Sequence, residues 1–477
     1  MSDAPFLYEE LASFISRLVD RGTLAPGTRV PSLRDISQDR GVAISTALQA
    51  YRLLEDRGII EARPKSGYYV VGRRTATFAK PSASTPPENA AEVAISSVAL
   101  KLLEYASDPR LIPLGCAIPS SELLAAERLD RLLARKARAK GREFNIYTAP
   151  KGDLQLRVEI ARRAMHWQRP LSPEDIIVTN GCTEALSLAL RSVTKAGDTV
   201  AIESPTYFGL LQALEALDLK ALELPTDPTT GADLLALERA LASREIAACL
   251  FASSFSNPLG CTMPDERKRA TLDLITKYGV PLIEDDIYGD IYFGTERPRP
   301  FAAFDSCANI IYCSSFSKTL APGYRIGWVT ATRNTEAILG RKFASTLCSP
   351  ALLQSAVADF LGSGGYEHHL RRLRSVLKSN LDRMTLAVEK SFPTGTKVTQ
   401  PAGGFVLWLE LPRSVNTRAL FDSALGEGIC FAPGDVFSTS SRYNNCLRLG
   451  CTQPWDTQIE RGVIRIGELA SLAVPCR

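Results

Sequence analysis

The chain has 477 residues, of which 45% are hydrophobic and 23% charged, and its formal net charge at pH 7 is only +4. This length suits two or three packed domains, and disorder is not the expected state. Because the net charge is small, any nucleic-acid binding must come from a local basic patch rather than from the charge of the whole chain.

Cysteine and histidine usage excludes several kinds of site. The cysteines number 11 and are scattered from Cys116 to Cys476 without a CxxC pair, which argues against a disulfide framework or a zinc ribbon and fits reduced thiols. Three histidines leave almost no material for a histidine-centred triad or metal site, so no metal is expected. The N-terminal stretch lacks a signal-peptide pattern, and no window reaches the roughly 18 apolar residues of a membrane span. We therefore expect a soluble, cytoplasmic protein.

The N-terminal region predicts three helices followed by a hairpin. Apolar residues at helical spacing place the first helix over residues 7–20, and "RGTLAPG" ends it. In "VPSLRDIS", Ser32 and Asp35 form a capping-box pattern that opens a second helix, which "DRG" closes. The third helix covers about residues 44–56, and "IIEARPKSGYYVV" is typical of two short strands joined by a turn. This order predicts a winged helix-turn-helix.

The third helix is the predicted DNA reader. Ser45, Gln49 and Arg52 fall at i, i+4 and i+7 on one face. A second stripe, on roughly the opposite face, is suited to packing and consists of Ala47, Tyr51 and Leu54. The hairpin adds basic residues suited to phosphate contacts, and Arg73 and Arg74 follow it. The candidate DNA-contacting residues are Arg34, Ser45, Thr46, Gln49, Arg52, Arg63 and Lys65. Taken singly, a residue such as Arg52 could instead only solvate a small structural domain.

The stretch "VPSLRDISQDRGVAISTALQAYRLLEDRGIIEARPKSGYYV" resembles the DNA-binding domain of GntR-type bacterial regulators. It has the Pro-Ser-x-Arg start, the reader helix and the glycine-bearing wing in the same order. The resemblance implies that residues 1–72 bind double-stranded operator DNA. Over residues 73–94 the composition changes to Ala, Ser, Thr and Pro, which predicts a linker.

Residues 95–477 predict an α/β fold. Helical segments alternate with apolar, β-rich runs: "DIIVTN", "TVAIESP", "AACLFASSF", "VPLIEDDIY", "NIIYCSSFS" and "RIGWVTAT". Such runs are typical of a mostly parallel sheet covered by helices, in which ligands bind beyond the carboxyl ends of the strands. Polar residues follow four of these runs and are expected to meet in one crevice: Gly181, Cys182 and Thr183; Asn257; Asp285 and Tyr288; and Lys318.

Lys318 stands at the end of an apolar run in "YCSSFSKTLAPGYRIGW", where a lysine is either a surface residue without a chemical role or a reactive amine. An amine that loses its proton can form a Schiff base with an aldehyde such as pyridoxal 5′-phosphate. A carboxylate such as Asp285 keeps the pyridine nitrogen of that cofactor protonated. Asn257 and Tyr288 can hydrogen-bond its ring hydroxyl.

The phosphate group of such a cofactor also has candidate partners. The backbone N–H groups of Gly181 to Thr183 open a helix whose dipole favours an anion. Ser315, Ser317 and Arg325 add hydroxyl and guanidinium donors. Taken singly, each of these polar residues has a structural alternative, such as a turn for Asn-Pro or a helix cap for the aspartate.

The order Asn-Pro, Asp-x-x-Tyr and Ser-x-Ser-Lys, with an arginine seven residues on, resembles the class I/II aminotransferases of fold type I across residues 95–477. The resemblance implies a large cofactor domain over 95–370 and a smaller C-terminal α/β domain over 371–477. It implies the following roles: Schiff-base formation for Lys318, a pyridinium partner for Asp285, ring-hydroxyl partners for Asn257 and Tyr288, ring stacking for Tyr207, contact with the partner subunit's phosphate for Tyr147, and binding of the substrate α-carboxylate for Arg448. Cys182 departs from the small or hydroxyl residue common there, but a backbone N–H can do the same work.

Together the two halves resemble the MocR subfamily of bacterial transcription regulators over essentially the whole chain. The resemblance implies a head-to-tail, domain-swapped homodimer whose aminotransferase-like part senses an effector. The first hypothesis is therefore a regulator whose DNA affinity responds to pyridoxal 5′-phosphate or to an amino-acid-like compound that reacts with it. The alternative is a metabolic aminotransferase with an accessory DNA-binding domain, and whether the chain turns over a substrate stays open. A third hypothesis is a cofactor-free scaffold that binds only DNA.

Overall fold

The structure is a computed structural model, and it describes residues 7–25, 27–56, 59–63, 66–70, 78–94, 97–106, 108–304 and 306–474. The chain divides into two units, Met1–Thr77 and Phe78–Arg477. Within the described ranges, no helix is both long enough and apolar enough to cross a membrane.

The first unit contains three helices and a hairpin: α1 (Leu7–Asp20), α2 (Leu33–Arg40), α3 (Ile44–Asp56), β1 (Ile60–Arg63) and β2 (Gly67–Val70). The Ser32 hydroxyl accepts a hydrogen bond from the Asp35 N–H, and the Asp35 carboxylate accepts one from the Ser32 N–H. The predicted capping box therefore starts α2, and Gly41, in the left-handed region at φ 61°, ends it. Strands β1 and β2 are antiparallel. The predicted winged helix-turn-helix is confirmed.

Helix α3 presents the two faces that its sequence predicts. The packing face is fully buried among the residues of α1 and α2 and consists of Ala47, Tyr51 and Leu54. The Tyr51 hydroxyl donates to the Pro31 carbonyl oxygen over 2.6 Å, which fixes α3 against the start of α2. The opposite face is exposed and carries Ser45, Gln49 and Arg52.

The second unit contains the remaining elements. Its strands are β3 (Ala91–Glu92), β4 (Ile112–Pro113), β5 (Ile176–Thr179), β6 (Thr199–Ser204), β7 (Lys220–Asp227), β8 (Gly231–Ala232), β9 (Ile246–Phe251), β10 (Leu282–Asp285), β11 (Ile310–Ser315), β12 (Gly327–Ala331), β13 (Lys397–Val398), β14 (Val406–Glu410), β15 (Ile429–Cys430), β16 (Ala432–Pro433) and β17 (Cys446–Gly450). Its helices are α4 (Ser97–Tyr105), α5 (Ala126–Lys140), α6 (Leu154–Ala164), α7 (Cys182–Val193), α8 (Phe208–Glu215), α9 (Leu234–Ala242), α10 (Asp265–Tyr278), α11 (Thr335–Ser345), α12 (Ala351–Gly362), α13 (Gly365–Ser391), α14 (Thr417–Gly426) and α15 (Thr457–Leu472).

A large sheet with the strand order β3-β7-β6-β9-β10-β11-β12-β5 forms the centre of this unit. Strands β7, β6, β9, β10 and β11 are parallel neighbours, and β12 runs antiparallel to both β11 and β5. Their apolar side chains are buried on both faces, as expected of a helix-covered sheet. All six predicted strand runs lie in this sheet, and the predicted α/β fold is confirmed. Strand β7 was not predicted, because "KALELPTD" carries charges and a proline.

A smaller antiparallel sheet, in the order β13-β14-β17-β16, lies in the C-terminal part. Its core also contains residues from before the large sheet: Ala99, Leu102 and Leu114 pack in the same apolar cluster as Leu407 and Leu449. Strand β4 pairs with β15 in parallel. A boundary at residue 370 therefore does not separate the two cores, because the segment around α4 and β4 belongs to the C-terminal one.

Residues 78–94, which the sequence assigns to the linker, are attached to the second unit. Strand β3 pairs with β7, and the Ser84 N–H donates to the Thr226 carbonyl oxygen over 3.1 Å. The Ser82 N–H donates to the Glu410 carboxylate over 2.8 Å. This part of the predicted linker is therefore held by hydrogen bonds and is not a free tether, while residues 73–77 lie outside the described ranges.

Candidate functional site

Four strands deliver polar side chains to one edge of the large sheet. Asp285 is the last residue of β10, and Lys318 follows the end of β11. Asn257 follows β9, and Gly181 follows β5. Because β9, β10 and β11 are parallel neighbours and β5 runs in the same direction, their carboxyl ends share that edge.

The Lys318 amine is partly buried and directed at a backbone carbonyl. Its Nζ donates to the Ala117 carbonyl oxygen over 2.7 Å. The pKa of Lys318 is lowered from 10.5 to about 8, mainly by burial. The positive charges of Arg448 and Arg325 contribute to this shift, whereas Cys116 and Asp285 oppose it. The amine therefore has a much larger neutral fraction at neutral pH than an exposed lysine, as a nucleophile requires.

Asp285 is a buried carboxylate with few partners. Its Oδ1 accepts hydrogen bonds from the Cys182 thiol over 3.5 Å and from the Ile287 N–H over 3.3 Å. Burial raises the pKa of Asp285 to about 6, although these hydrogen bonds and the charge of Lys318 act in the opposite direction. A carboxylate in this position is suited to a cationic N–H group, which would lower its pKa again.

The start of α7 forms a site suited to an anion. Gly181 stands at the N-cap with φ 84° and gives no side-chain cap, so the first N–H groups of this 12-residue helix have no side-chain acceptor at the cap position. The Arg325 guanidinium donates to the Asn180 carbonyl oxygen over 3.1 Å and to the Ser317 hydroxyl over 3.5 Å. A Cβ atom at Gly181 would clash with the Arg325 guanidinium, so the present position of that side chain requires glycine. The Ser315 hydroxyl is buried beside them and accepts from the Ser317 N–H.

Arg448 lies in β17 with only 1% of its surface exposed. Its Nη1 donates to Asn257 Oδ1 over 2.9 Å, and its Nη2 donates to the Gly115 carbonyl oxygen. Its Nε has no hydrogen-bond partner among the described residues. Because a buried guanidinium N–H without an acceptor is costly, and because Arg448 lines the same cavity as Lys318, this donor is suited to a ligand oxyanion.

The tyrosines predicted for the site fall in different places. Tyr207 is partly buried and lines the cavity with Lys318 and Asn257. Tyr288 is buried, and its hydroxyl lies 3.5 Å from Asn257 Nδ2. Tyr147, in contrast, is 81% exposed and is not among the residues that line this cavity. Thr183, in the first turn of α7, is also exposed.

Several residues of the site were not predicted. The turn Gly115–Ile118 lies beside Lys318 and Arg448, and Leu102 and Leu103 of α4 line the same cavity. Their apolar side chains and backbone carbonyls carry no recognisable motif. In the stretch "LGCAIPS", the one feature that could have indicated a site is a glycine next to a cysteine.

The predicted DNA-contacting residues belong to the first unit. Arg34 and Arg52 are exposed, and Thr46 is partly exposed. Arg63 forms an ion pair with Glu61 over 2.8 Å and lies over the Tyr69 ring at 4.4 Å. Its charge is therefore partly neutralised by a residue two positions before it, a pairing that was not predicted. Lys65, Arg73 and Arg74 lie outside the described residues.

The two units match two known families. Residues 120–466 match the family described as aminotransferase class I and II, and residues 7–70 match the bacterial regulatory proteins of the gntR family. The fold and the site thus define a gntR-type helix-turn-helix unit joined to an aminotransferase-type unit. The chain belongs to the aminotransferase class I and II family and, with its gntR-type unit, to the MocR-type regulators.

Similar proteins include both regulators and enzymes. The chain is 38% identical to the uncharacterized HTH-type transcriptional regulator YdcR of Escherichia coli K12, over 97% of this chain and 98% of the relative. It is 36% identical to YjiR of the same organism, also named an uncharacterized HTH-type transcriptional regulator, over 97% and 98% of the two chains. A solved structure of LysN, an α-aminoadipate aminotransferase from Thermus thermophilus complexed with N-(5′-phosphopyridoxyl)-L-leucine, superposes with a TM-score of 0.73. It is 28% identical, and the match covers 79% of this chain and 95% of that one.

Proposed function

We propose that this protein is a DNA-binding transcription regulator whose second unit binds pyridoxal 5′-phosphate and senses it, or an amino compound that reacts with it. The observation that carries the proposal is one cavity lined by both a partly buried lysine amine, Lys318, and a buried arginine, Arg448, whose Nε lacks an acceptor among the described residues. An amine and a carboxylate-binding guanidinium are the two groups that a cofactor aldehyde and an α-amino acid require.

The residues present fit the cofactor. Lys318 would hold its aldehyde carbon, and Asp285 would face its ring nitrogen. Asn257 and Tyr288 would bind its ring hydroxyl, and Tyr207 would lie against its ring. The uncapped start of α7 would hold the phosphate with Ser315, Ser317 and Arg325. The cofactor supplies an aldehyde and an electron-withdrawing ring; the protein supplies position and an amine that loses its proton readily. The phosphopyridoxyl compound bound to the solved aminotransferase LysN supports this assignment.

The first unit is proposed to read operator DNA through α3. Its exposed face offers Ser45, Gln49 and Arg52 to a groove, while its other face is occupied by packing. Arg34, Thr46, Arg63 and Lys65 are proposed as further contacts. Because a regulator of this kind acts on chromosomal DNA, we expect it in the cytoplasm.

A homodimer is proposed because Tyr147 would complete the site of a second chain. Tyr147 is exposed in the single chain, and its aromatic hydroxyl is suited to a phosphate held by the partner subunit. Tyr147→Phe should then weaken cofactor binding. Mixed dimers of Tyr147→Phe and Lys318→Ala chains should keep one intact site per dimer, whereas sites confined to single chains would leave none intact.

The alternative is an aminotransferase with an accessory DNA-binding unit. It is favoured by the retention of Lys318, Asp285 and Arg448 together at the site. Amino-donor panels separate the two functions: formation of oxo acids at ordinary enzyme rates favours catalysis, and ligand binding without such turnover favours sensing.

The proposed sensing is tested through reciprocity, because an effector that changes DNA affinity must itself bind differently when DNA is present. Operators are first selected from a random-sequence pool with the full-length, cofactor-loaded protein. Amino acids are then titrated against the visible absorption of the cofactor with and without the selected operator. We expect at least a threefold difference in half-saturation for the effector. Identical titrations for every amino acid that binds would overturn the sensing of amino compounds.

A further inference from the structure

One wall of the cavity around Lys318 and Arg448 is apolar. Helix α4 contributes Leu102 and Leu103 to it, and Ala106 directly follows this helix. The Gly115–Ile118 turn contributes Ile118, and α8 contributes Phe208. Among the described lining residues that have no proposed contact with the cofactor or the α-carboxylate, the only polar side chain is the Cys116 thiol. This wall is therefore apolar and uncharged.

We propose that this wall binds the side chain of the effector and that the effector is an α-amino acid with an apolar side chain. The inference rests on the proposed function, because it takes Lys318 as the cofactor amine and Arg448 as the partner of the α-carboxylate. It adds the class of amino acid, which depends on different residues.

Electrostatics at the wall disfavours an acidic effector. Lys318 and Arg448 are the two cations among the lining residues that the structure describes. Both already have a proposed partner, the cofactor aldehyde for Lys318 and the α-carboxylate for Arg448. The carbonyl oxygens of Gly115 and Ala117 point at these same cations and add partial negative charge beside them. A second carboxylate would therefore be buried without a cationic partner, which is strongly unfavourable.

An apolar side chain gains affinity from the same wall. Each methylene group that leaves water for such a surface strengthens binding about fourfold. Leu102 is only 5% exposed and forms the inner part of the wall, whereas Leu103 is 49% exposed and stands at the cavity mouth. The side chain of the effector would thus run from the inner leucine towards the mouth.

The length of the side chain provides the first test. Full-length, cofactor-loaded protein is titrated with L-2-aminobutyrate, L-norvaline, L-norleucine and L-glutamate while the visible absorption of the cofactor is followed. We expect half-saturating concentrations to fall about fourfold per added methylene and glutamate to bind at least tenfold more weakly than norleucine. Glutamate binding as tightly as norleucine would overturn the inference.

A charge introduced at the mouth provides the second test, with a matched control on the same helix. Leu103→Arg should tighten glutamate binding and weaken norleucine binding, each by about tenfold or more. Leu100→Arg should change neither, because Leu100 is 57% exposed in the same helix but does not line the cavity. Equal effects of the two variants would refute the assignment of the wall.

The outcomes also separate this inference from the proposed function. If Lys318→Ala keeps the absorption band of the wild-type protein, the proposed function fails and the inference fails with it. If no amino acid changes that band, the inference fails, whereas sensing of pyridoxal 5′-phosphate itself is not affected. If the band depends on Lys318 but responds to glutamate as strongly as to norleucine, only the apolar class of the effector is wrong.

Discussion

The amine of Lys318 should capture pyridoxal 5′-phosphate readily at neutral pH, where an ordinary lysine reacts slowly. Burial is the main reason that its pKa falls from 10.5 to about 8. Only the neutral amine attacks an aldehyde, so the reactive fraction at pH 7 is about 9% instead of about 0.03%, an increase of about 300-fold. At pH 9 the same comparison gives about 30-fold. The advantage of Lys318 over a free lysine should therefore shrink about tenfold between these two pH values.

Stopped-flow absorbance measures this directly. Cofactor-free, full-length protein is mixed with pyridoxal 5′-phosphate between pH 6 and pH 10, and each rate is divided by that of N-acetyl-lysinamide in the same buffer. The division removes the ionisations of the cofactor itself. Lys318→Ala should show no capture. A ratio that stays constant from pH 7 to pH 9 would mean that Lys318 titrates like an exposed lysine, and the argument from burial would be wrong.

Three further changes test the site and the reader. Burial raises the pKa of Asp285 from 3.8 to about 6, so ionisation of this carboxyl destabilises the cofactor-free fold as pH rises through this range, by about 3 kcal/mol above pH 6. Asp285→Asn should therefore raise the thermal midpoint of the cofactor-free protein at pH 8 but not at pH 4. The same variant should be stabilised less by added cofactor. Gly181→Ala should weaken cofactor binding at least tenfold, measured by equilibrium dialysis, because the new Cβ displaces Arg325 from a charge-assisted contact. The control Gly197→Ala, which shares a left-handed φ of 87° but has open space around it, should bind normally, and equal losses would contradict the steric argument. Arg52→Ala should weaken operator binding about tenfold in a fluorescence anisotropy assay without changing the cofactor band, whereas Arg17→Ala on α1 should not; equal binding by the Arg52 variant and wild type would refute the reader assignment.

The sequence was most informative where a structure depends on near neighbours in the chain. The capping box at Ser32, the end of α2 at Gly41 and the two faces of α3 follow from local spacing, and the structure shows each of them. The buried strands were recognisable because their apolar runs need no partner to be identified. Strand β7 was missed, because its proline and charged residues are not typical of a strand and its place in the sheet depends on strands that are distant in the chain.

Features that depend on distant partners were not predictable. The carbonyl oxygen of Ala117 meets Lys318 across 201 positions, and that of Gly115 meets Arg448 across 333 positions. A backbone carbonyl has no sequence signature, so the turn that carries both could not be assigned to the site. For the same reason, the composition of residues 78–94 predicted a linker, whereas their hydrogen bonds with Thr226 and Glu410 hold them on the second unit.

The central claim is that a ligand bound at Lys318 changes how the first unit binds DNA. Its most direct test is the Kd of full-length protein for a selected operator, measured with and without pyridoxal 5′-phosphate plus L-norleucine, in wild type and in Lys318→Ala. We predict that the ligands change the Kd of wild type at least threefold and leave that of Lys318→Ala unchanged. A shift of equal size in both proteins would contradict the claim.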